Sequence, residues 1–127
     1  MNKQKETTFF GLSTPPGRSA TATIRISGKK TKAVLHRLTS GKIKNPKHRK
    51  STVLDIYNKN NILIDNVVVS FFEGPNTYTG DDLVEIHTHG NPVIINRLYN
   101  ALLDFGLRIA DPGEFTRSAY LNNKIDL

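Results

Sequence analysis

Residues 83–89, LVEIHTH, alternate apolar and polar side chains, and that period of two specifies a half-buried strand. If Val84 and Ile86 enter a core, then Glu85, His87 and His89 share the opposite face. One carboxylate and two imidazoles therefore stand together. A turn-rich loop with Gly74, Pro75, Asn76 and Gly80 leads into this strand, and Asn91-Pro92 after it reads as a helix start. A strand with one buried and one ionisable side, flanked by two loops, is a reasonable wall for a small-molecule pocket.

A second alternating run, residues 20–27 (ATATIRIS), places Ala22, Ile24 and Ile26 on one face and Thr21, Thr23, Arg25 and Ser27 on the other. Before it, residues 7–12 form a short β-prone run that Ser13-Thr14-Pro15-Pro16-Gly17 stops with a turn. After Gly28, the spacing of Ala33, Val34, Leu35 and Leu38 predicts a short amphipathic helix over 29–38, and residues 40–51 read as an exposed basic loop. Residues 52–57 and 62–72 read as two strands around the turn Asn58-Lys59-Asn60-Asn61, with Val67-Val68-Val69 central in a sheet.

The clearest helix starts with Asn91 as N-cap and Pro92 at the first helical position. It carries Val93, Ile94, Ile95, Leu98, Tyr99, Leu102 and Phe105 in one stripe and stops at Gly106. A short strand over 107–110 then precedes Asp111-Pro112-Gly113-Glu114, a variant capping box that opens a last helix over roughly 114–122. This order of elements implies an α+β domain, a mixed or antiparallel sheet with helices packed on one side.

At 127 residues, with 37% apolar side chains, the chain fits one domain able to bury a core without staples. It has no cysteine, which excludes disulfides, thiolate metal sites and a cysteine nucleophile, and fits a reducing compartment. The charged start MNKQKETTFFGL lacks a signal-peptide core, and no run approaches the ~18 apolar residues of a membrane span. A soluble, cytoplasmic protein with no membrane partner is the expectation. The net charge of +7 is concentrated: nine of the 18 Lys and Arg residues lie between Lys29 and Lys50. Such a run is either a solvated face or a surface that attracts RNA backbone without sequence preference, and it lacks the interleaved aromatics that stack on bases.

No G-x-x-x-x-G-K-[ST] loop, G-x-G-x-x-G turn or G-x-S-x-G elbow is present, so the standard nucleotide and nucleophile sites are missing. Gly17-Arg18-Ser19 reads as a plain turn or a small anion nest. His87 and His89 either satisfy local hydrogen bonds or, with Glu85, hold a metal. Glu85 has a further use: a carboxylate accepts two parallel hydrogen bonds from an amino-pyrimidinone edge, as on guanine or a pterin. Arg25 and Lys124 are either ordinary surface cations or partners for a carboxylated tail of the same ligand.

Three blocks share one resemblance. TPPGRS (14–19) with IRISG (24–28), GPNTYTGDDLVEIHTHG (74–90) and DPGEFTRSAYLNNKIDL (111–127) are similar, in order and spacing, to the N-terminal domain of the MnmE (TrmE) family of tRNA modification GTPases. The likeness runs over residues 8–127 and is weakest in the basic middle. It implies a domain that binds a tetrahydrofolate, notably 5-formyltetrahydrofolate, and makes the family's homodimer contact. The implied fold is similar to the folate-binding part of the glycine cleavage T-protein. Carried over motif by motif, the folate contacts fall on Arg25, Glu85 and Lys124. The loop over residues 74–82 is then expected near the pocket rim or the dimer contact.

The family installs an aminomethyl-type group at C5 of the wobble uridine of certain tRNAs, with an FAD-dependent partner protein, a one-carbon unit from folate and GTP hydrolysis as conformational driver. Its helical and GTPase domains follow the N-terminal one. Residues 1–127 are thus expected to be a single N-terminal domain that does not hydrolyse GTP alone; GTP, Mg²⁺ and K⁺ belong to the GTPase domain. The implied catalytic and metal sets within this chain are empty. A small basic RNA-binding module, or a dimerisation scaffold without ligand, are the alternatives. The chain departs from the family's usual glycines at Ser19-Ala20 and Asn91 and from its glycine or aspartate at Asn123, and those side chains are expected to narrow the pocket mouth.

Overall fold

The computed structural model describes residues 7–13 and 20–121. Expectations that rest on residues 14–19, 122–127 or the first six, including the Pro-Pro-Gly turn, the possible anion nest and Lys124, lie outside the described residues.

Six strands form one mixed sheet. In chain order they are β1 (Phe9–Leu12), β2 (Thr21–Ser27), β3 (Lys50–Tyr57), β4 (Leu63–Phe72), β5 (Leu83–His89) and β6 (Arg108–Ile109). Their order across the sheet is β3-β4-β5-β2-β1-β6, antiparallel throughout except for the parallel pair β1–β6. Among the described residues three helices accompany them: α1 (Thr31–Leu38), α2 (Pro92–Asp104) and α3 (Glu114–Leu121). The elements follow one another as their periodicities imply, and the α+β class holds.

Alternation decides the two faces. Ile24 and Ile26 of β2, Val84 and Ile86 of β5, and Val67, Val69 and Phe71 of β4 all point into one core, joined by Leu35 and Leu38 of α1 and Leu98 and Leu102 of α2. Each buried side chain of this size removes enough apolar surface from water to contribute about 2 kcal/mol. The third helix sits differently. Phe115 meets Phe9 edge-on, with ring centroids 4.9 Å apart, whereas the adjacent Phe10 meets Tyr99 of α2. Neighbouring residues of a strand face opposite ways, so α1 and α2 cover one face of the sheet and α3 closes the β1 end of the other.

Local chemistry sets the ends of these elements. Asn91 caps α2, its side-chain oxygen accepting from the Val93 amide at 2.8 Å. The stripe along that helix is narrower than its apolar residues suggest: Leu98, Ala101 and Leu102 are buried, while Val93 is 59% exposed. The basic loop differs from expectation more. Strand β3 already starts at Lys50, because the Arg49 amide donates to Phe71 O at 2.7 Å and draws the chain onto β4. Thr39 Oγ1 accepts from the Ile43 amide at 3.2 Å, and His48 Nδ1 accepts from the Glu73 amide at 2.8 Å. The side chains stay exposed, but the backbone is tied down.

The link from β2 to α1 is the tightest backbone approach. Gly28 has φ +135°, and a Cβ there would stand 2.7 Å from the Cα of Thr8. Thr8 in turn accepts from the Lys30 amide at 2.8 Å through its Oγ1. Replacing Gly28 with alanine is expected to combine unfavourable backbone geometry with a clash that only main-chain movement relieves. A loss of about 2–4 kcal/mol should appear in urea unfolding of Gly28→Ala. An unchanged midpoint would mean that the β2–α1 junction is less tightly built than these distances imply.

Candidate functional site

The register of the two central strands assembles the site. Residue 25 of β2 stands directly opposite residue 85 of β5, one step from the Ile24–Ile86 pair that faces the core. Because the core claims Ile24 and Ile86, Arg25 and Glu85 must meet on the other face. Arg25 Nε lies 3.4 Å from Glu85 Oε2, with the two side chains 37% and 21% exposed. This single long contact leaves most of both groups unused: Arg25 presents its terminal N–H donors and Glu85 its second oxygen, with no other partner among the described residues. Two half-buried, opposite charges with spare hydrogen-bonding capacity suit a ligand that carries both donors and an anion.

The histidines have separate engagements. His87 Nδ1 is 3.0 Å from Thr23 Oγ1 on β2, and His89 Nδ1 is 2.9 Å from Oδ1 of Asp65 on β4. Asp65 also accepts from the His89 amide at 3.0 Å, which locks that end of β5 to β4. Among the described residues, no three metal-ligating side chains converge. The two imidazoles brace the sheet's polar face.

Beside Arg25 opens a cavity of about 440 Å³ between the ends of β1 and β6 and the start of α3. Gly11, Ser13, Arg25, Tyr99, Asp111 and Phe115 are among the residues that line it. Its size falls within the usual range for small-molecule sites. Glu85 is not among its lining residues; it reaches the site only as the cross-strand partner of Arg25. A Cβ at Gly11 would meet Ala110 and Phe115 at 3.5 Å, an ordinary van der Waals distance, so the wall is close here without requiring glycine. The loop over residues 74–82 approaches the same rim. Thr77 and Thr79 bury their side chains, Thr79 Oγ1 lies 2.7 Å from Ser27 Oγ, and Tyr78 donates its hydroxyl to Thr116 of α3 at 3.4 Å. None of the loop's residues lines the cavity itself. Asn91, expected near the mouth, instead serves α2 as its cap and does not line the cavity.

One pair at this rim escaped the sequence reading. Arg108 of β6 holds Glu114, the first residue of α3, in a two-pronged ion pair; Nη1 donates to Oε1 at 2.7 Å and Nη2 to Oε2. Glu114 also accepts from the Asp111 amide at 2.8 Å, completing the capping box, and its side chain is only 4% exposed. Burial pushes the Glu114 carboxyl upward, but the hydrogen bonds from Arg108 and Asp111 and the charges of Arg108 and Arg117 outweigh it and leave the pKa below the ordinary value. The Arg108 guanidinium is held above its usual value, chiefly by its hydrogen bonds to Glu114. The sequence signal for Glu114 was the Asp-Pro-Gly-Glu box; nothing in the spacing announced Arg108 as its partner.

A carboxylate with a lowered folded pKa stabilises the fold above its unfolded pKa, and that contribution disappears as pH falls through the folded value. Glu114→Gln is therefore expected to cost about 2 kcal/mol near neutrality, where it removes the charge from these hydrogen bonds. The difference from the parent chain should shrink as pH drops below the ordinary glutamate value of about 4.3. Thermal melts of both forms between pH 7 and pH 3 check this; a gap that stays constant with pH would show that the charge of Glu114 is not what stabilises the rim.

With this geometry in place, comparison with known proteins identifies what the chain is similar to. The model of a family described as the GTP-binding protein TrmE N-terminus matches residues 8–124. The tRNA modification GTPase MnmE of Francisella philomiragia is 45% identical over 120 residues, which cover 94% of this chain and 26% of that protein. Proteins of the same name from Legionella pneumophila and Nitrosomonas eutropha are 41% and 40% identical over equal spans. The chain spans about a quarter of the length of these relatives.

Proposed function

The chain belongs to the TrmE N-terminal family, and from that premise we propose that it is the tetrahydrofolate-binding and homodimerising part of a tRNA modification GTPase. The observation that carries this reading is the Arg25–Glu85 pair, two charged side chains with unused hydrogen-bonding capacity next to a ligand-sized cavity. Glu85 would accept two hydrogen bonds from the amino-pyrimidinone edge of the pterin. Arg25 would hold anionic or carbonyl oxygen of the same molecule, and Lys124 would add a second cation for the carboxylated tail. When bound, 5-formyltetrahydrofolate or a related tetrahydrofolate supplies a one-carbon unit. This chain's own residues orient it and limit its exposure to water.

The donor set fits that group. A folate carries a donor edge at one end and carboxylates at the other, so it asks for one acceptor carboxylate and at least one cation. Glu85 supplies the acceptor for the donor edge and Arg25, beside it, a donor for an oxygen at the same end, and their mutual contact at 3.4 Å is loose enough to yield to a better-aligned partner. In the whole protein, this module would serve modification at C5 of the wobble uridine of tRNA, together with an FAD-dependent partner protein, in the cytoplasm. GTP, Mg²⁺ and K⁺ would act through a GTPase domain beyond these residues. Among the described residues no helix is long and apolar enough to cross a membrane.

Calorimetric titration of the purified chain with 5-formyltetrahydrofolate tests the reading. Binding is expected, and Glu85→Ala should weaken it by about 2 kcal/mol, or ~30-fold, through loss of a charged acceptor. Arg25→Ala and Lys124→Ala should weaken it also. A folded chain that gives no heat of binding, or equal affinity in Glu85→Ala, would overturn the folate assignment. Light scattering of the same sample reads the homodimer directly.

A further inference from the structure

A second concave feature lies on the other side of the sheet. Where α1 meets the outer strands β3 and β4, Leu35, Val69 and Phe71 floor a cleft of about 300 Å³, and Lys42, Lys44, Lys47 and Lys50 stand around it. Lys50 is the register partner of Phe71 and Thr52 that of Val69. Val69 and Phe71 belong to the core-facing side of the sheet, opposite Arg25 and Glu85.

Three observations make this more than a solvated charge run. The lysines have no acidic neighbours in sequence, since no Asp or Glu occurs between Glu6 and Asp55. They also have no ion-pair partners among the described residues: the nearest acid along the strand, Glu73, is taken by Lys32 at 3.3 Å, and Asp55 accepts from Asn66 at 2.8 Å. Finally, the segment that carries them is held at both ends, through Ile43 to Thr39 and His36 on one side and through Arg49 and His48 to the end of β4 on the other. Four like charges carried around one cleft on a backbone held in this way repel one another, and a bound polyanion relieves that repulsion.

The chemistry of the patch selects among polyanions. Its cations are lysines, point charges that neutralise phosphates without demanding a planar fork. The one aromatic ring of the cleft, Phe71, is 2% exposed and has no face free for a base. No large apolar side chain between residues 29 and 50 is exposed, which leaves nothing to insert into a lipid surface. Backbone phosphates of a folded RNA fit this pattern: they are regularly spaced anions met by charge alone.

We propose that Lys42, Lys44, Lys47 and Lys50 form a docking surface for the phosphate backbone of RNA, on the face of the sheet opposite the folate site. The choice of RNA as the polyanion rests on the tRNA-modification reading above; the location rests on the cleft itself. The surface holds the RNA without reading its sequence. The sheet between the two sites keeps their occupancies independent.

Fluorescence anisotropy with a labelled tRNA transcript, over a series of salt concentrations, tests the assignment. Binding to the chain should weaken steeply with salt. Lys44→Ala/Lys47→Ala should reduce the slope of log Kd against log salt by roughly 2, about one unit for each phosphate that is no longer neutralised. Lys59→Ala/Arg97→Ala, which removes the same charge outside the cleft, should leave the slope nearly unchanged. All four changed residues are on the surface, and circular dichroism verifies the fold.

Equal effects of the two double variants would overturn the proposal, because the attraction would then follow net charge alone. Tripolyphosphate bound as tightly as tRNA at equal phosphate would reassign the cleft to a free phosphate ligand. Binding to phosphatidylserine vesicles with none to tRNA would make it a membrane patch, and absence of binding to all three would remove the site. The folate titration separates the two readings: loss of RNA binding with folate affinity intact counts against the cleft alone, whereas RNA binding without folate binding counts against the folate assignment alone.

Discussion

Everything at the proposed folate site depends on the register between β2 and β5. Seven residue pairs run from Thr21–His89 to Ser27–Leu83. Within them the Ile24–Ile86 and Ile26–Val84 pairs are fully buried. A slip of one residue in either strand would turn its two apolar side chains to solvent and bring its charged residue, Arg25 or Glu85, into the core, at a cost of several kcal/mol from reduced burial alone. The core therefore fixes the charged pair as firmly as it fixes itself. Hydrophobic burial on one side of the strands supplies the precision of the polar arrangement on the other.

Sheet order explains why this pair in particular is central. With β3-β4 on one flank and β1-β6 on the other, β2 and β5 are paired on both edges and cannot shift without breaking two ladders. The strands beside them serve the same face. Asp65 of β4 anchors His89, and Phe9 of β1 packs edge-on against Phe115, so that α3 lies against the sheet and walls the cavity. The Arg108–Glu114 pair then fastens β6 to α3 at the rim. Ion pairs on this face thus tie separate elements together where the surroundings are partly shielded from water, and a charge-assisted hydrogen bond is stronger there than on an open surface.

Much of this was legible in the sequence because it is periodic or local. Alternation in residues 83–89 assigns Glu85 and His87 to one face, Asn91-Pro92 announces α2, and Asp111 to Glu114 announces α3, each within a few residues. What alternation cannot give is a partner. Arg25 and Glu85 are 60 positions apart, and they meet only because β5 returns beside β2 after a hairpin that passes elsewhere in the sheet. The same limit hid Arg108, a lone cation in a two-residue strand. It also made residues 40–51 read as a loop through and through, since their anchors are groups at the distant end of β4 and a hydroxyl just past α1. The side α3 takes was equally hidden. It follows from the alternation of Phe9 with Phe10, which sends one ring to Phe115 and the other to Tyr99.

The charge distribution extends this logic to the whole domain. A net charge of +7 is not spread evenly: the acids Asp65, Glu85 and Glu114 are each matched to a named cation or imidazole around the polar face, whereas the lysines of residues 42–50 are matched to none among the described residues. Pairing lowers the field on the first face and leaves the second strongly positive. An unneutralised cluster costs self-repulsion in the folded state and returns that energy to whatever anion occupies it. The lysine cleft and the Arg25–Glu85 pair lie on opposite faces of the sheet, so an occupant of one does not obstruct the other. The two proposed ligands, a small anionic cofactor and a large polyanion, would therefore share one basic domain without competing, because a single sheet would hold their sites apart and each would be recognised by a different balance of paired and unpaired charge.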